Sequence, residues 1–351
     1  MLFLFFISIL LSFFISFVVT PFVKQFFIKQ NWVEDPVKKN QKVHNATASS
    51  TVPRGGGVPI FLAVFFTIIL LSGRDKHTVG ILAASVLTLV VGLIDDIFDI
   101  SPKFRLFTNV LVALIIVASG IGIAYISNPL GGVIDLSSFQ LNFNFLGQHS
   151  IWIISDLLAL FWIVGFMNVV GWSAGVEGQL PGFVAISSIF IGLVGLRFSQ
   201  DSNQLSVIIL AGALAGSFLG FLPYNFFPQQ IMPGYSGKSL AGLLLAVLGI
   251  LSGAKLATII LLLGIPIIDA FFVIIKRILS RRSPLVGGPD HLHHYLLKIG
   301  WTKPQISILY MFFSLVLGTL SLFLNSNQKF YTFIGLFVLF LAFSLKVSRH
   351  I

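Results

Sequence analysis

Asp290-His291-Leu292-His293-His294 sets four ionisable side chains within five residues of a largely apolar chain. A basic cluster of Lys276, Arg277, Arg281 and Arg282 precedes it. Such a surface suits a phosphate-bearing ligand, or a metal if the imidazoles are neutral. The three histidines cannot share one helical face, but Gly287-Gly288-Pro289 predicts a loop in which they can converge. Hydrogen bonding to phosphate or carboxylate is favoured over metal binding by these imidazoles alone.

A second constellation, Asp95, Asp96 and Asp99, closes the apolar run that ends Gly92-Leu93-Ile94. On a helix Asp95 and Asp99 share a face, with Asp96 about 100° away. Adjacent carboxylates repel and favour a divalent cation, a nearby base or a shared proton. Oxygen-only ligands select Mg²⁺ or Mn²⁺. The competing reading is a solvated helix end partnered by Lys103 and Arg105. Asp269 lies inside a hydrophobic helix, where a carboxylate marks either a functional site or a hydrogen bond to a neighbouring helix. Two glycine-rich segments, Gly171 to Gly178 and Pro233 to Ser239, can present backbone N–H groups to a phosphate at a helix start. The second lacks the spacing and the preceding strand of a nucleotide-binding P-loop.

The elements that position these groups are membrane helices. Of 351 residues, 56% are hydrophobic and 10% charged, against about 25% charged in soluble domains. Apolar runs near 2–23, 58–73, 78–94, 106–126, 151–170, 183–197, 204–222, 239–252, 256–275, 305–325 and 330–345 predict about eleven transmembrane helices. The fold class expected is all-α, a polytopic integral membrane bundle forming one domain over 1–351. The first run has basic residues after it and none before, which reads as a retained helix rather than a signal peptide. Placing the 24–57 loop in the cytoplasm puts seventeen of the 22 Lys and Arg residues on that side, as the positive-inside rule requires. The net charge of +10 then reports topology, and no basic module with interleaved aromatics points to nucleic acid. The absence of cysteine excludes disulfides and thiolate metal sites. With ionisable groups gathered at one membrane face rather than along a path, a transporter or flippase is disfavoured.

In order along the chain, these segments resemble the polyprenyl-phosphate N-acetylhexosamine-1-phosphate transferases of glycosyltransferase family 4. The matching blocks are Asp35-Pro36 with Lys42-Val43-His44 and Pro53-Arg54-Gly55-Gly56; Gly92 to Lys103; Asn168 to Gly182; Phe221 to Asn225 with Gly234 and Gly237-Lys238-Ser239; and Pro266, Asp269, Arg277 and Asp290 to His294. The resemblance implies attack of a polyprenyl phosphate on a UDP-sugar with release of UMP. It implies a plasma-membrane protein whose active-site loops face the cytoplasm, with Mg²⁺ or Mn²⁺ as cofactor. Asp95 and Asp96 would orient or deprotonate the lipid phosphate and bind metal. Lys42, His44, Asn168, Asn225, Lys238, Asp269, His291, His293 and His294 would serve the substrate. The H-x-H-H form is similar to the UDP-N-acetylglucosamine branch, with UDP-N-acetylmuramoyl-pentapeptide as the alternative substrate. A homodimer is left open.

Two blocks depart from the family pattern. In N-x-x-N-x-x-D-G-x-D-G the second Asn is Gly171, the first Asp is Ala174 and the second is Glu177. In M-G-D the Asp is Tyr235, within Pro233-Gly234-Tyr235. An alanine methyl cannot ligate a metal, so Glu177 is the remaining metal candidate in the third block. The non-enzyme alternative is a pseudoenzyme that binds polyprenyl phosphate or nucleotide-sugar without turnover.

Overall fold

A computed structural model describes residues 1–35, 37, 50–128, 131–144, 148–198, 200–201, 204–252, 256–283 and 288–348. Each of the eleven apolar runs contains helix, although the 106–126 run is helical only to Ala118. In chain order the helices are α1 Leu2–Lys29, α2 Gly57–Leu71, α3 Lys76–Phe98, α4 Pro102–Ala118, α5 Ile153–Trp172, α6 Gln179–Leu196, α7 Gln204–Asn225, α8 Gly234–Leu251, α9 Leu256–Leu262, α10 Gly264–Leu279, α11 Leu292–Lys298, α12 Lys303–Phe323 and α13 Ser326–Ser348. Among the described residues, seven helices are long and apolar enough to cross a membrane, or eight if α9 and α10 count as one. The chain is a multi-pass all-α membrane protein.

The count of about eleven straight spans needs two adjustments. The 256–275 run is broken at Leu263, where α9 and α10 meet at 78°. Pro266 explains the break, because it has no N–H to donate and its ring would collide with a carbonyl of the preceding turn. The 15-residue α2 rises only about 22 Å, short of a hydrocarbon core of about 30 Å. Beyond the end of α4 the chain forms two antiparallel hairpins rather than further helix. They pair Tyr125–Ser127 with Val133–Asp135 and Gln140–Asn144 with Gln148–Trp152.

The bundle is built around α6, α7 and α8, whose apolar windows are 78%, 78% and 83% buried, against 22% for α1. Lipid tails are as apolar as leucine, so helices in a bilayer associate through close backbone approach rather than hydrophobic exclusion. The α1/α7 contact shows this directly. Ser8, Ser12, Ser16 and Thr20, four residues apart, form the buried stripe of α1. They face Gly212, Gly216 and Gly220 of α7, and a Cβ at Gly216 would lie 2.2 Å from the Ile9 carbonyl oxygen. The hydroxyl of Ser12 donates to the Ala213 carbonyl at 2.6 Å. Phe3, Phe6, Phe14 and Phe22 point away from this contact and are exposed. The same device fixes α3 on α8: a Cβ on Gly92 would lie 2.3 Å from the Cα of Ser236. That contact brings the last turn of α3 over the first turn of α8.

Candidate active site

Asp95 and Asp96 occupy that last turn, and the structure gives them different jobs. Asp96 is buried beneath the start of α8. Its Oδ1 accepts from the Tyr235 N–H at 2.6 Å, and its Oδ2 accepts from the N–H and hydroxyl of Ser236 at 3.2 and 2.6 Å. A carboxylate here satisfies donors that have no partner within the helix and complements the positive end of its dipole. The approach requires Gly234, with φ +66°, where a Cβ would lie 2.3 Å from Asp96 Oδ2 and 2.2 Å from the Arg54 carbonyl oxygen.

Asp95 lies on the wall of a cavity. Its Oδ1 accepts from Arg105 Nε at 2.5 Å, while Oδ2 is buried without a hydrogen-bond partner. Asp99, the left-handed cap of α3, accepts from Arg105 Nη2 at 3.0 Å. Arg54 lies among four carboxylates: Glu34 at 3.6 Å, Asp96 at 3.7 Å, Asp95 at 3.8 Å and Asp99 at 3.9 Å. Burial works to lower the Arg54 pKa, but these carboxylates, Asp96 foremost, raise it above its ordinary value. The segment carrying Arg54 is held by backbone hydrogen bonds of Met232 N–H to Pro53 and of Gly56 N–H to Met232.

The opposite wall joins the glycine-rich turn after α5 to the histidine motif. Gly175 abuts His293, whose Nε2 would lie 2.0 Å from a Cβ there. Gly178, with φ +78°, donates its N–H to Asn225 Oδ1 at 2.9 Å, and Asn225 Nδ2 donates to the Ile231 carbonyl at 2.9 Å. Asn168 Nδ2 donates to the Val164 carbonyl at 2.7 Å. Glu177 Oε1 accepts from Lys303 Nζ at 2.8 Å, and Oε2 is buried without a hydrogen-bond partner.

Asp269 holds the histidine motif from behind. Its Oδ2 is 2.9 Å from His291 Nδ1, and its Oδ1 accepts from the Leu292 N–H at 2.7 Å. A carboxylate beside Nδ1 favours the tautomer with the hydrogen on Nδ1, which leaves Nε2 to the cavity that His291 lines. Burial, with neighbouring positive groups adding to it, lowers the His293 pKa well below its ordinary value. Burial also lowers His294 to about 4. Both rings are therefore neutral at pH 7. Burial works to raise Asp290, but Lys276 and Arg277 hold it below the ordinary carboxylate range.

All of this surrounds one cavity of about 320 Å³. Of the residues expected from sequence, Asp95, Asn168, Glu177, Asn225, Lys238, His291, His293 and His294 line it. Asp96 and Asp269 lie behind its walls, and Lys42 and His44 lie outside the described residues. Sequence reasoning gave no role to Trp172 or Tyr235, which also line it. In the sequence Arg54 stands out only within Pro53-Arg54-Gly55-Gly56, and Arg105 only as a partner for a solvated helix end. The signal for Arg54 was the Gly55-Gly56 pair beside it: a Cβ on Gly55 would meet the Phe27 ring at 2.6 Å, and one on Gly56 the Met232 carbonyl oxygen at 2.5 Å.

Fold and site together define a multi-pass helical membrane protein with an ion-paired cavity. The chain belongs to glycosyl transferase family 4, whose model matches residues 78–253. It is 29% identical over 303 residues to a probable undecaprenyl-phosphate N-acetylglucosaminyl 1-phosphate transferase of Bacillus subtilis, covering 84% of this chain and 78% of that one. It is 28% identical over 331 residues to the undecaprenyl-phosphate alpha-N-acetylglucosaminyl 1-phosphate transferase of Thermotoga maritima, covering 94% and 91%. It is 26% identical over 352 residues to a phospho-N-acetylmuramoyl-pentapeptide-transferase of Thermodesulfovibrio yellowstonii, covering 90% and 91%.

Proposed function

We propose that this protein transfers an N-acetylhexosamine 1-phosphate from a UDP-sugar to a polyprenyl phosphate, at the cytoplasmic face of the plasma membrane, for cell-envelope polysaccharide or peptidoglycan precursor synthesis. One observation carries the reading: Asp95, Arg54, Arg105, Lys238 and the three histidines line a single cavity. Relatives named for N-acetylglucosamine 1-phosphate transfer favour that sugar, and the lysine and arginine asymmetry supports the cytoplasmic side.

In the reaction an oxygen of the lipid phosphate attacks the β-phosphorus of the UDP-sugar. A P–O bond forms there, the bond from the β-phosphorus to the bridging oxygen breaks, and that oxygen leaves with the electron pair as part of UMP. Such a transfer needs alignment and charge neutralisation more than covalent help. Oδ2 of Asp95, which accepts no hydrogen bond, takes the proton that a phosphate monoester still carries near its second pKa of about 6. Asp96 positions the start of α8, and with it Lys238. Asp269 fixes the tautomer of His291, whose Nε2 meets the substrate. Lys238, His293, His294, Asn168 and Asn225 complete the substrate wall, with Lys42 and His44 as further contacts.

The resemblance also implies Mg²⁺ or Mn²⁺, expected on Asp95, Asp96 and Glu177, and here the donor set does not fit a resident divalent ion. The three carboxylates lining the cavity are each matched by cations: Glu34 by Arg54, Asp95 by Arg105 and Arg54, Glu177 by Lys303. Asp96 gives both oxygens to α8. Among the described residues no group of three His, Cys, Asp or Glu side chains is placed to hold a metal.

The test is UMP release by purified protein given polyprenyl phosphate and labelled UDP-N-acetylglucosamine. A second reading, binding without turnover, is favoured by Ala174 and Tyr235 standing where the family has acids. An inert parent that gains activity on Ala174→Asp would support it; a parent whose activity is lost on Asp95→Asn would exclude it.

A further inference from the structure

Tyr235 makes contacts that a carboxylate could not. Its ring lies beneath the Arg105 guanidinium, 5.1 Å from centroid to Cζ. Its hydroxyl is anchored on Asn109 Oδ1 at 3.1 Å, and Asn109 belongs to the same helix as Arg105. An aromatic face attracts a cation and holds the planar guanidinium flat. Arg105 is bound along its edge by Asp95 and Asp99, so its head group has a fixed position. Arg54 is fixed in the same way by four carboxylates and is 14% exposed, with Arg105 28% exposed. Both guanidiniums and Lys238 line the cavity. On the facing wall Lys303 engages Glu177. A divalent ion entering this space would meet carboxylates already shared with cations and two guanidiniums a few ångströms away.

We infer that Arg105, shelved on Tyr235, acts with Arg54 and Lys238 as a built-in cationic clamp for the diphosphate of the nucleotide-sugar, in the place a divalent ion would take. The inference deepens the proposed function and rests on its reading of the cavity as the UDP-sugar site. Preorganised guanidiniums bind phosphate oxygens bidentately and stabilise the charge that develops on a departing phosphate. The Tyr235 shelf and the Lys303–Glu177 ion pair are then parts of one arrangement of fixed cations around the cavity.

Calorimetric titration of the full-length detergent-purified protein with UDP, in excess EDTA and again in Mg²⁺, tests this without requiring turnover. The expected affinities agree within about twofold in the two conditions, and Arg105→Met weakens both by about ten- to a hundredfold. Tyr235→Asp, which removes the shelf and offers a carboxylate, is expected to bind UDP poorly in EDTA and to be rescued by Mg²⁺. UDP binding by the parent that disappears in EDTA overturns the inference and leaves the proposed function standing. UDP binding in neither condition overturns both. The parent comparison alone decides the matter if either variant fails to fold.

Discussion

The Asp269–His291 contact allows a worked prediction, because one buried carboxylate serves both the fold and the site. Asp269 accepts from His291 Nδ1 at 2.9 Å and from the Leu292 N–H at 2.7 Å. Removing it in Asp269→Ala leaves two buried donors without an acceptor, each costing about 1–3 kcal/mol. The expected destabilisation is about 2–6 kcal/mol, felt where the histidine motif docks on α10. Asp269→Asn is the sharper tool. Its carbonyl oxygen can still accept from Leu292, so the destabilisation falls to about 1–2 kcal/mol. Its amide, however, offers His291 a donor, which moves the ring hydrogen to Nε2 and reverses the polarity presented to the cavity. Loss of one charge-assisted interaction of about 1.5–3 kcal/mol predicts a fall in kcat/KM of about ten- to a hundredfold. UMP release, with thermal unfolding in detergent as the control for folding, measures both. Unchanged kcat/KM in a folded Asp269→Asn variant, alongside a His291→Ala variant that is inactive, would refute the tautomer argument.

Other outcomes follow from single contacts. Gly175→Ala places a methyl 2.0 Å from His293 Nε2; the ring must leave its seat, and UDP affinity measured by calorimetry should fall while the melting temperature changes little. Gly216→Ala sets a methyl 2.2 Å from the Ile9 carbonyl oxygen and should cost about 1–3 kcal/mol, read as a lower unfolding midpoint in detergent. His294, at about 4 in the fold, returns to about 6.5 on unfolding. The unfolded chain therefore binds this proton first on acidification, so stability is full above pH 6.5 and declines as pH falls towards 4. Unfolding midpoints across that range should fall less steeply for His294→Gln than for the parent.

The helical runs were legible because hydropathy reports burial in lipid directly, and the acid and imidazole clusters because charged groups are costly in such a setting. What escaped the sequence depends on contacts between distant segments. Nothing local distinguishes Asp96, which caps α8, from its neighbour Asp95, which faces the cavity; the difference lies in Gly92 letting α3 settle on Ser236. The partner of Glu177 is 126 residues away. Arg54 looked like one basic residue in a basic loop, and its four carboxylates arrive from two different segments. The broken span was half visible, since Gly264 and Pro266 lie inside an unbroken apolar run. Hydropathy alone passes over such a break, because it registers what a residue dissolves in and not which way the chain turns.

The central claim is that the cavity joins a lipid phosphate to a sugar phosphate with Asp95 at the reacting end. Purified protein in detergent, given UDP-N-acetylglucosamine and a polyprenyl phosphate, should release UMP only when the lipid phosphate is present, and Asp95→Asn should lose that release while still binding UDP. Absence of UMP with any UDP-sugar, or undiminished release by Asp95→Asn, would contradict it.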